Sequence, residues 1–384
     1  MIYKRLLMPP KKAFFLFGPR GVGKSTWLKT SFPNAHLIDL LPTKIYWDYL
    51  KNPALLEQEC LALPKETWII IDEIQKIPAL LDDVHHLIEN LHYKNFILCG
   101  SSTRKLKRSG VNLLAGRAIN RKLFPFTAQE LNYKIDPIQA IYYGMLPGSI
   151  LAETDADRKD FLKSYTEMYL KEEIKAEALT RNLDSFSRFL DIVAILNGQP
   201  INLSGISRDI GLSRNSVRTF FEILEDTLMG TWLESYRPRA KVKETNNAKF
   251  YLFDTGIAHA LSTGFNQMPP SDWIGHALET WLYHELSADL HYRNPGGTLH
   301  YWRTPNGSEI DFIWTKDAQT IAIEVKASKQ YQTHYSRHLL SFSESMPNTK
   351  KIVIYLGEKT LKDNTTDVYP VLTFLKELNN GNIY

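Results

Sequence analysis

Residues 11–31 read KKAFFLFGPRGVGKSTWLKTS, and this stretch decides the fold of the first third of the chain. An apolar run, AFFLF, leads into a glycine-rich turn, GPRGVGKST, which spans Gly18 to Thr26 and opens a helical stretch. The turn fits G-x-x-x-x-G-K-[ST] without a gap, and strand, turn and helix are the context in which that spacing has a mechanism. Glycines let backbone N–H groups turn inward to cradle phosphates, and the start of the helix adds the positive end of its dipole. Lys24 is placed to reach the β- and γ-phosphates of a nucleotide, and the Ser25 hydroxyl to ligate Mg²⁺. The expected ATP-binding residues are therefore Gly18, Pro19, Arg20, Gly21, Val22, Gly23, Lys24, Ser25 and Thr26.

Three more apolar runs follow before about Gln129: AHLIDL, WIIIDE and NFILCG. Short apolar runs that alternate with helical patterns predict buried parallel strands of an α/β sheet. WIIIDE ends in Asp72 and Glu73, which puts one carboxylate near the magnesium shell and the next near an attacking water. NFILCG runs into Ser101 and Ser102, either of which could polarise the γ-phosphate or the water, although serine after a strand is also ordinary turn chemistry.

GPRGVGKST, WIIIDEIQ, ILCGSS, LLAGR and FPFTAQE, in this order, resemble the prokaryotic AAA+ ATPases of the AAA_14 type over roughly residues 11–131. The resemblance implies Asp72 and Glu73 as Walker B residues and Ser101 or Ser102 as the sensor. It also implies that Arg117, in LLAGR, completes a neighbouring subunit's site in a homo-oligomer. An arginine suits that role because its fixed charge can stabilise a transferring phosphoryl group. A surface or structural role for Arg117 is the alternative, with Arg121 and Lys122 close by.

The bulk properties bound the rest. A chain of 384 residues predicts two or three domains, at about 150 residues each. Hydrophobic residues at 43% and charged residues at 23% describe a globular chain rather than a disordered one. A formal charge of only +4 makes any nucleic-acid surface a local patch. Cys60 and Cys99 have no metal spacing and no disulfide framework. No run approaches the roughly 18 apolar residues of a membrane span, so the expectation is a cytoplasmic protein without a membrane partner.

The middle of the chain turns helical from about Asp155. INLSGISRDIGLSRNSVRTFFEILEDTLM predicts two helices joined at GLS, with Ile206, Ile210, Leu212, Val217, Phe220 and Leu224 on the buried side. GTWLESYRPRAKVKE then reads as a hairpin-like wing, so the module resembles a winged helix. Arg214 and Arg218 lie at i and i+4 on the second helix, while Arg239 and Lys241 lie on the wing, where a DNA backbone would be gripped. Leu183 to Glu244 carries eight Lys/Arg against eight Asp/Glu, which also fits a plain docking module.

After Asn246 strand patterns return in KFYLFD, TLHYWR, EIDFIW, TIAIEV and KIVIYLG. GSEIDFIW and TIAIEVKAS, around TKDAQ, predict a β-hairpin with Asp311 on the first strand and Glu324 and Lys326 two apart on the second. IGHALETWLYHEL adds Glu279 on a helix. This pattern resembles the PD-(D/E)XK nuclease superfamily, and YLFDTGIAHAL, LETWLYHEL, YWRTPNGSEIDFI and IEVKAS resemble the DUF4143 domain over about residues 246–384. The resemblance implies that Asp311 and Glu324 hold Mg²⁺ or Mn²⁺, with Glu279 approaching from the helix and Lys326 orienting water.

The expected architecture is α/β. It comprises a P-loop AAA+ parallel-sheet ATPase domain over residues 1–135, a helical winged-helix middle over 136–245, and a restriction-endonuclease-like domain over 246–384. The expected function is ATP binding and hydrolysis coupled to DNA, with a metal-dependent nuclease-like tail. Two alternatives stand beside it: an ATP-driven nucleic-acid-binding switch with an inactive nuclease fold, and a signalling or protein-remodelling ATPase with no DNA partner.

Overall fold

The computed structural model of the protein describes residues 3–102, 117–169, 183–237, 247–263, 265 and 269–384. The four apolar runs of the front form β1 (Phe14–Phe17), β2 (His36–Asp39), β3 (Ile69–Asp72) and β4 (Phe96–Gly100), and β5 (Ile119–Lys122) completes the sheet. The strand order is β2-β3-β4-β1-β5, with every pair parallel. Strand β5 reads INRK and has no apolar run, because an edge strand with one neighbour can leave polar side chains in water.

Alternation along β1 divides its side chains between two cores. Phe15 and Phe17 pack with Ile69, Ile71, Leu81 and Leu98 on one face. Phe14 and Leu16 pack with Trp27, Leu28 and Ile97 on the other, and that core continues into Phe189, Phe220 and Phe221 of the helical middle. Front and middle thus share apolar packing.

In the middle, helices Leu203–Ile210 and Arg214–Asp226 are joined at Gly211, whose φ of 68° suits glycine. The Ser213 side chain caps the second helix by accepting from the Ser216 N–H. Ile206, Ile210, Val217, Phe220 and Leu224 are buried and Leu212 packs against them, as the spacing predicts. Strand β6 (Gly230–Leu233) pairs antiparallel with β7 (Lys249–Leu252). A Cβ at Gly230 would lie 2.3 Å from the Phe250 ring, so the ladder closes only over glycine. KFYL, read from sequence as the start of the tail, is therefore the partner of GTWL and crosses the boundary expected at 245/246.

The tail holds β8 (Thr298–Arg303), β9 (Glu309–Lys316), β10 (Gln319–Lys326), β11 (Thr349–Tyr355), β12 (Leu361–Asp363) and β13 (Thr366–Pro370) in the order β12-β13-β11-β10-β9-β8. The β10–β11 and β11–β13 pairs are parallel and the others antiparallel. Strands β9 and β10 form the expected hairpin, turning at Asp317 with a φ of 51°. Helices Ser271–Tyr292 and Val371–Asn379 cover one face through Leu278, Trp281, Leu282 and Phe374. Helix Arg337–Ser345 covers the other through Leu339 and Phe342.

Candidate nucleotide cleft and carboxylate cluster

The first site forms where β1 ends and helix Lys24–Ser31 begins. Gly21 and Gly23 have φ values of 80° and 93°, which turn the backbone between them around a hollow. Gly23 stands at the helix N-cap with no side chain capping it, so the first-turn amides remain available to an anion. Lys24, only 9% exposed, folds back over the turn. Its Nζ donates to the carbonyls of Gly18 at 2.6 Å and Pro19 at 3.1 Å.

Two residues for which no site role was expected hold this turn from behind. Arg5 donates through Nη1 to the Val22 carbonyl at 2.7 Å and pairs through Nε with Glu130 at 3.0 Å. The Tyr165 hydroxyl donates to the Arg20 carbonyl at 3.0 Å. No local motif marks either one, because Arg5 lies 17 residues before Val22 and Tyr165 lies 145 residues after Arg20.

Asp72 ends β3, and Ser25 and Asp72 line one cavity of about 270 Å³. These are hard oxygen donors of the kind Mg²⁺ takes. Glu73 follows in the left-handed region at φ 58°, uncommon for a residue with a side chain, and its N–H donates to Asp72 Oδ1 at 3.0 Å. Gln75 is buried behind the pair: its Nε2 donates to Glu73 Oε2 at 2.5 Å and lies 3.5 Å from Ser101 Oγ. A Cβ at Gly100 would fall 2.3 Å from Gln75 Oε1, so glycine there makes room for the amide. Gln75 sits within the WIIIDEIQ motif, yet only the folded chain reveals it as the link between Glu73 and Ser101.

Beside the turn lies a larger cavity of about 500 Å³, lined by Tyr3, Met8, Gly23, Thr26, Trp27 and Pro147 among others. Its size and apolar walls are those of a small-molecule site. Arg117 is elsewhere. Ile119 pairs with Phe14, so Arg117 sits at the opening end of β1, and the Gly18–Thr26 turn follows its closing end. Its Nε pairs with Glu89 at the end of helix Leu80–Glu89.

The second site is in the tail, where Glu279, Asp311, Glu324 and Lys326 do converge. Asp311 Oδ2 accepts from the Val325 N–H at 2.8 Å, and Lys326 Nζ reaches Glu324 Oε1 at 2.6 Å. Lys249, overlooked in the sequence, enters from β7 and is 1% exposed. Its Nζ lies 2.6 Å from Glu309 Oε1, 3.3 Å from Glu279 Oε2 and 3.9 Å from Asp311 Oδ1.

Burial and the charges of Glu279 and Glu324 push the Asp311 carboxyl well above its ordinary range. Burial also pushes Glu324 up to about 7, against the pull of Lys326. Burial works against ionisation of Glu279 too, but Lys249 and His276 outweigh it and leave that carboxyl below its ordinary value. Burial opposes the charge on Lys249, and Glu279, Tyr251, Asp311 and Glu309 overcome it to hold the ammonium charged. Among the described residues, no three His, Cys, Asp or Glu side chains converge as a metal ion needs. The cation found against Asp311, where sequence reasoning expected a divalent ion, is Lys249.

In the middle, Arg214 and Arg218 are exposed on the helix after Gly211. Arg239 and Lys241 lie outside the described residues.

Comparison with known proteins matches three successive stretches of the chain. Residues 10–132 match the AAA domain family. Residues 135–268 match a domain of unknown function, DUF8612, and residues 274–374 match another, DUF4143. Uncharacterised proteins of Mycobacterium tuberculosis and Mycobacterium bovis are each 23% identical over 351 residues, covering 89% of this chain and 76% of theirs. An uncharacterised Haemophilus influenzae protein is 23% identical over 318 residues, covering 78% and 75%. The crystal structure of a Vibrio cholerae protein aligns over 96% of both chains at 11% identity, but its TM-score of 0.22 is too low to speak for a common arrangement. Among the described residues, no helix is long and apolar enough to cross a membrane. The chain thus carries an AAA domain at its N-terminal end, which supports ATP binding and hydrolysis, followed by DUF8612 and DUF4143 regions.

Proposed function

We propose that the protein binds ATP with Mg²⁺ at the Gly18–Thr26 turn and hydrolyses it, with Glu73 as the base that activates water. The supporting observation is the state of Lys24: its ammonium rests on two neutral carbonyls beside uncapped helix amides. A phosphate chain offers that ammonium a charge-assisted bond, which is stronger than a neutral one. Ser25 and Asp72 would hold Mg²⁺, which neutralises charge developing on the phosphates. The Tyr3–Trp27 cavity would take the base and ribose. Gln75 positions Glu73 and couples it to Ser101. The test is phosphate release: Glu73→Gln should keep ATP bound while turnover falls by about 10² or more, and normal turnover in that variant would require another base.

Arg117 lies at the wrong end of β1 to serve its own nucleotide, which supports a role across a subunit boundary in a homo-oligomer. Mixing Arg117→Ala with Lys24→Ala protein should then restore part of the activity; failure despite demonstrated mixed oligomers rejects it.

A second reading concerns what the ATPase acts on. Exposed Arg214 and Arg218 on a capped helix after a glycine turn support engagement of DNA phosphates, and the gathered Glu279, Asp311, Glu324 and Lys326 support a nuclease-like tail. Of its two forms, the non-cutting DNA switch has the support of Lys249, whose ammonium already stands against Glu279, Glu309 and Asp311. Incubation with DNA and Mg²⁺ or Mn²⁺ separates the forms, and DNA-independent ATP turnover would favour a signalling or remodelling ATPase.

A further inference from the structure

Three carboxylates, one from a helix and two from one strand, stand within 4 Å of one nitrogen. Glu279 comes from helix Ser271–Tyr292, and Glu309 and Asp311 from β9, while Lys249 is delivered by β7, which belongs to a different sheet. The ring of Tyr301 covers the ammonium with its centroid 5.2 Å away. The Lys249 backbone is fixed twice, by its register with Leu233 and by an antiparallel bridge to Pro200. A lysine so buried persists only where anions compensate the loss of water. Beside this group, Glu324 Oε2 is buried with no hydrogen-bond partner among the described residues.

We propose that the Lys249 ammonium is the built-in cation of this cluster, and that it keeps divalent metal out of a place Glu279, Glu309 and Asp311 would otherwise offer. The proposal rests on reading the tail cluster as nuclease-like. The nearest carboxylate oxygens stand 2.6, 3.3 and 3.9 Å from Nζ, the distances of ammonium–carboxylate ion pairs. Mg²⁺ needs oxygens at roughly 2.0–2.1 Å and Ca²⁺ at roughly 2.3–2.6 Å. Metal and ammonium cannot share the centre either, since like charges a few ångströms apart in a poorly solvated site repel strongly. With Lys249 neutralised, the carboxylates lose their counter-ion, and a hard divalent ion with oxygen preference is the class that replaces it.

The experiment titrates nucleotide-free full-length protein with Mn²⁺, reading free Mn²⁺ by electron paramagnetic resonance and melting temperature in parallel. Wild type should take up no Mn²⁺ that is lost on Asp311→Asn. Lys249→Met should bind Mn²⁺ at least tenfold more tightly than wild type and gain melting temperature from it, because a ligand that binds only the folded state stabilises it. Lys249→Met with Asp311→Asn should lose both effects. If the Met variant does not fold, Lys249→Gln carries the same test, since its amide still donates to the carboxylates. If neither folds, Asp311-dependent Mn²⁺ uptake by wild type still overturns the proposal.

Asp311-dependent Mn²⁺ binding by wild type overturns the proposal and leaves the nuclease-like reading standing. A folded Lys249 variant that takes up no Mn²⁺ overturns both, because the cluster is then no metal place at all.

Discussion

The two candidate sites each hold a buried lysine, and the company each keeps is the difference between them. Lys24 donates to the carbonyls of Gly18 and Pro19. Lys249 lies against the carboxylates of Glu309 and Glu279. Carbonyl oxygens are dipoles, so an ammonium resting on them keeps most of its charge for an incoming anion. Carboxylates cancel the charge, and an ammonium among them has nothing left to offer a ligand. The first arrangement leaves an ammonium free to take an anion, as the proposed ATP site requires, and the second holds its ammonium among carboxylates.

Exchanging both lysines for methionine should pull the two apart. Lys24→Met should reduce ATP turnover by at least about 10², because it removes a charge that acts on the transferring phosphoryl group. Its melting temperature should stay near that of wild type, since only neutral acceptors lose a partner. Lys249→Met should do the reverse: ATP affinity is retained while stability falls by about 3–5 kcal/mol, the cost of leaving buried charges uncompensated. Chemical denaturation and phosphate release on both proteins check this. Equal destabilisation by the two changes would erase the distinction.

What could be read from the sequence follows the range of the interactions. The Gly18–Thr26 turn was legible because nine consecutive residues carry it and their backbone geometry is local. The β9–β10 hairpin was legible because alternation and a polar turn fix its register, which sets Asp311 beside Val325. Strand β5 was not, because INRK needs only a neighbour to become an edge strand. Lys249 was hidden at the head of an apolar run, KFYLFD, where a lysine reads as a solvated strand end. Its partners lie 30 and 60 residues downstream at Glu279 and Glu309, and no local period announces such a meeting. Arg5 escaped for the same reason, since Glu130 lies 125 residues away.

A buried acid with no ion pair among the described residues offers a third case. Burial pushes the Glu285 carboxyl up to about 8, against hydrogen bonds to its Oε1 from the Ala128 N–H at 2.7 Å and Trp281 Nε1 at 3.1 Å. A carboxyl that holds its proton more tightly folded than unfolded contributes stability fully present below the ordinary value near 4.5. That stability is lost as pH rises through about 8. Glu285→Gln keeps the Oε1 acceptor and cannot ionise. It should match wild type at pH 5 and exceed it at pH 8 by about 2–4 kcal/mol, at about 1.4 kcal/mol for each tenfold change in proton affinity. Parallel stability curves across that range would mean that Glu285 is ionised in the folded protein.

The smallest expected effect belongs to the region without a buried cage. Arg214 and Arg218 are exposed on one face of helix Arg214–Asp226, and neither enters an ion pair among the described residues. Unlike Lys24 or Lys249, they hold nothing in place, so Arg214→Ala with Arg218→Ala should leave stability within about 0.5 kcal/mol of wild type. If they meet DNA phosphates, the double variant should bind a duplex oligonucleotide roughly tenfold more weakly at low salt. Each lost contact also releases one fewer counterion, so the slope of log affinity against log salt should flatten by about 2. The slope is the decisive reading, because a fold defect lowers affinity at every salt concentration without changing the number of ions released. A variant that binds as wild type does, with the same slope, would move any DNA contact off this helix. One that loses affinity at constant slope would mean the arginines support the surface rather than touch the backbone.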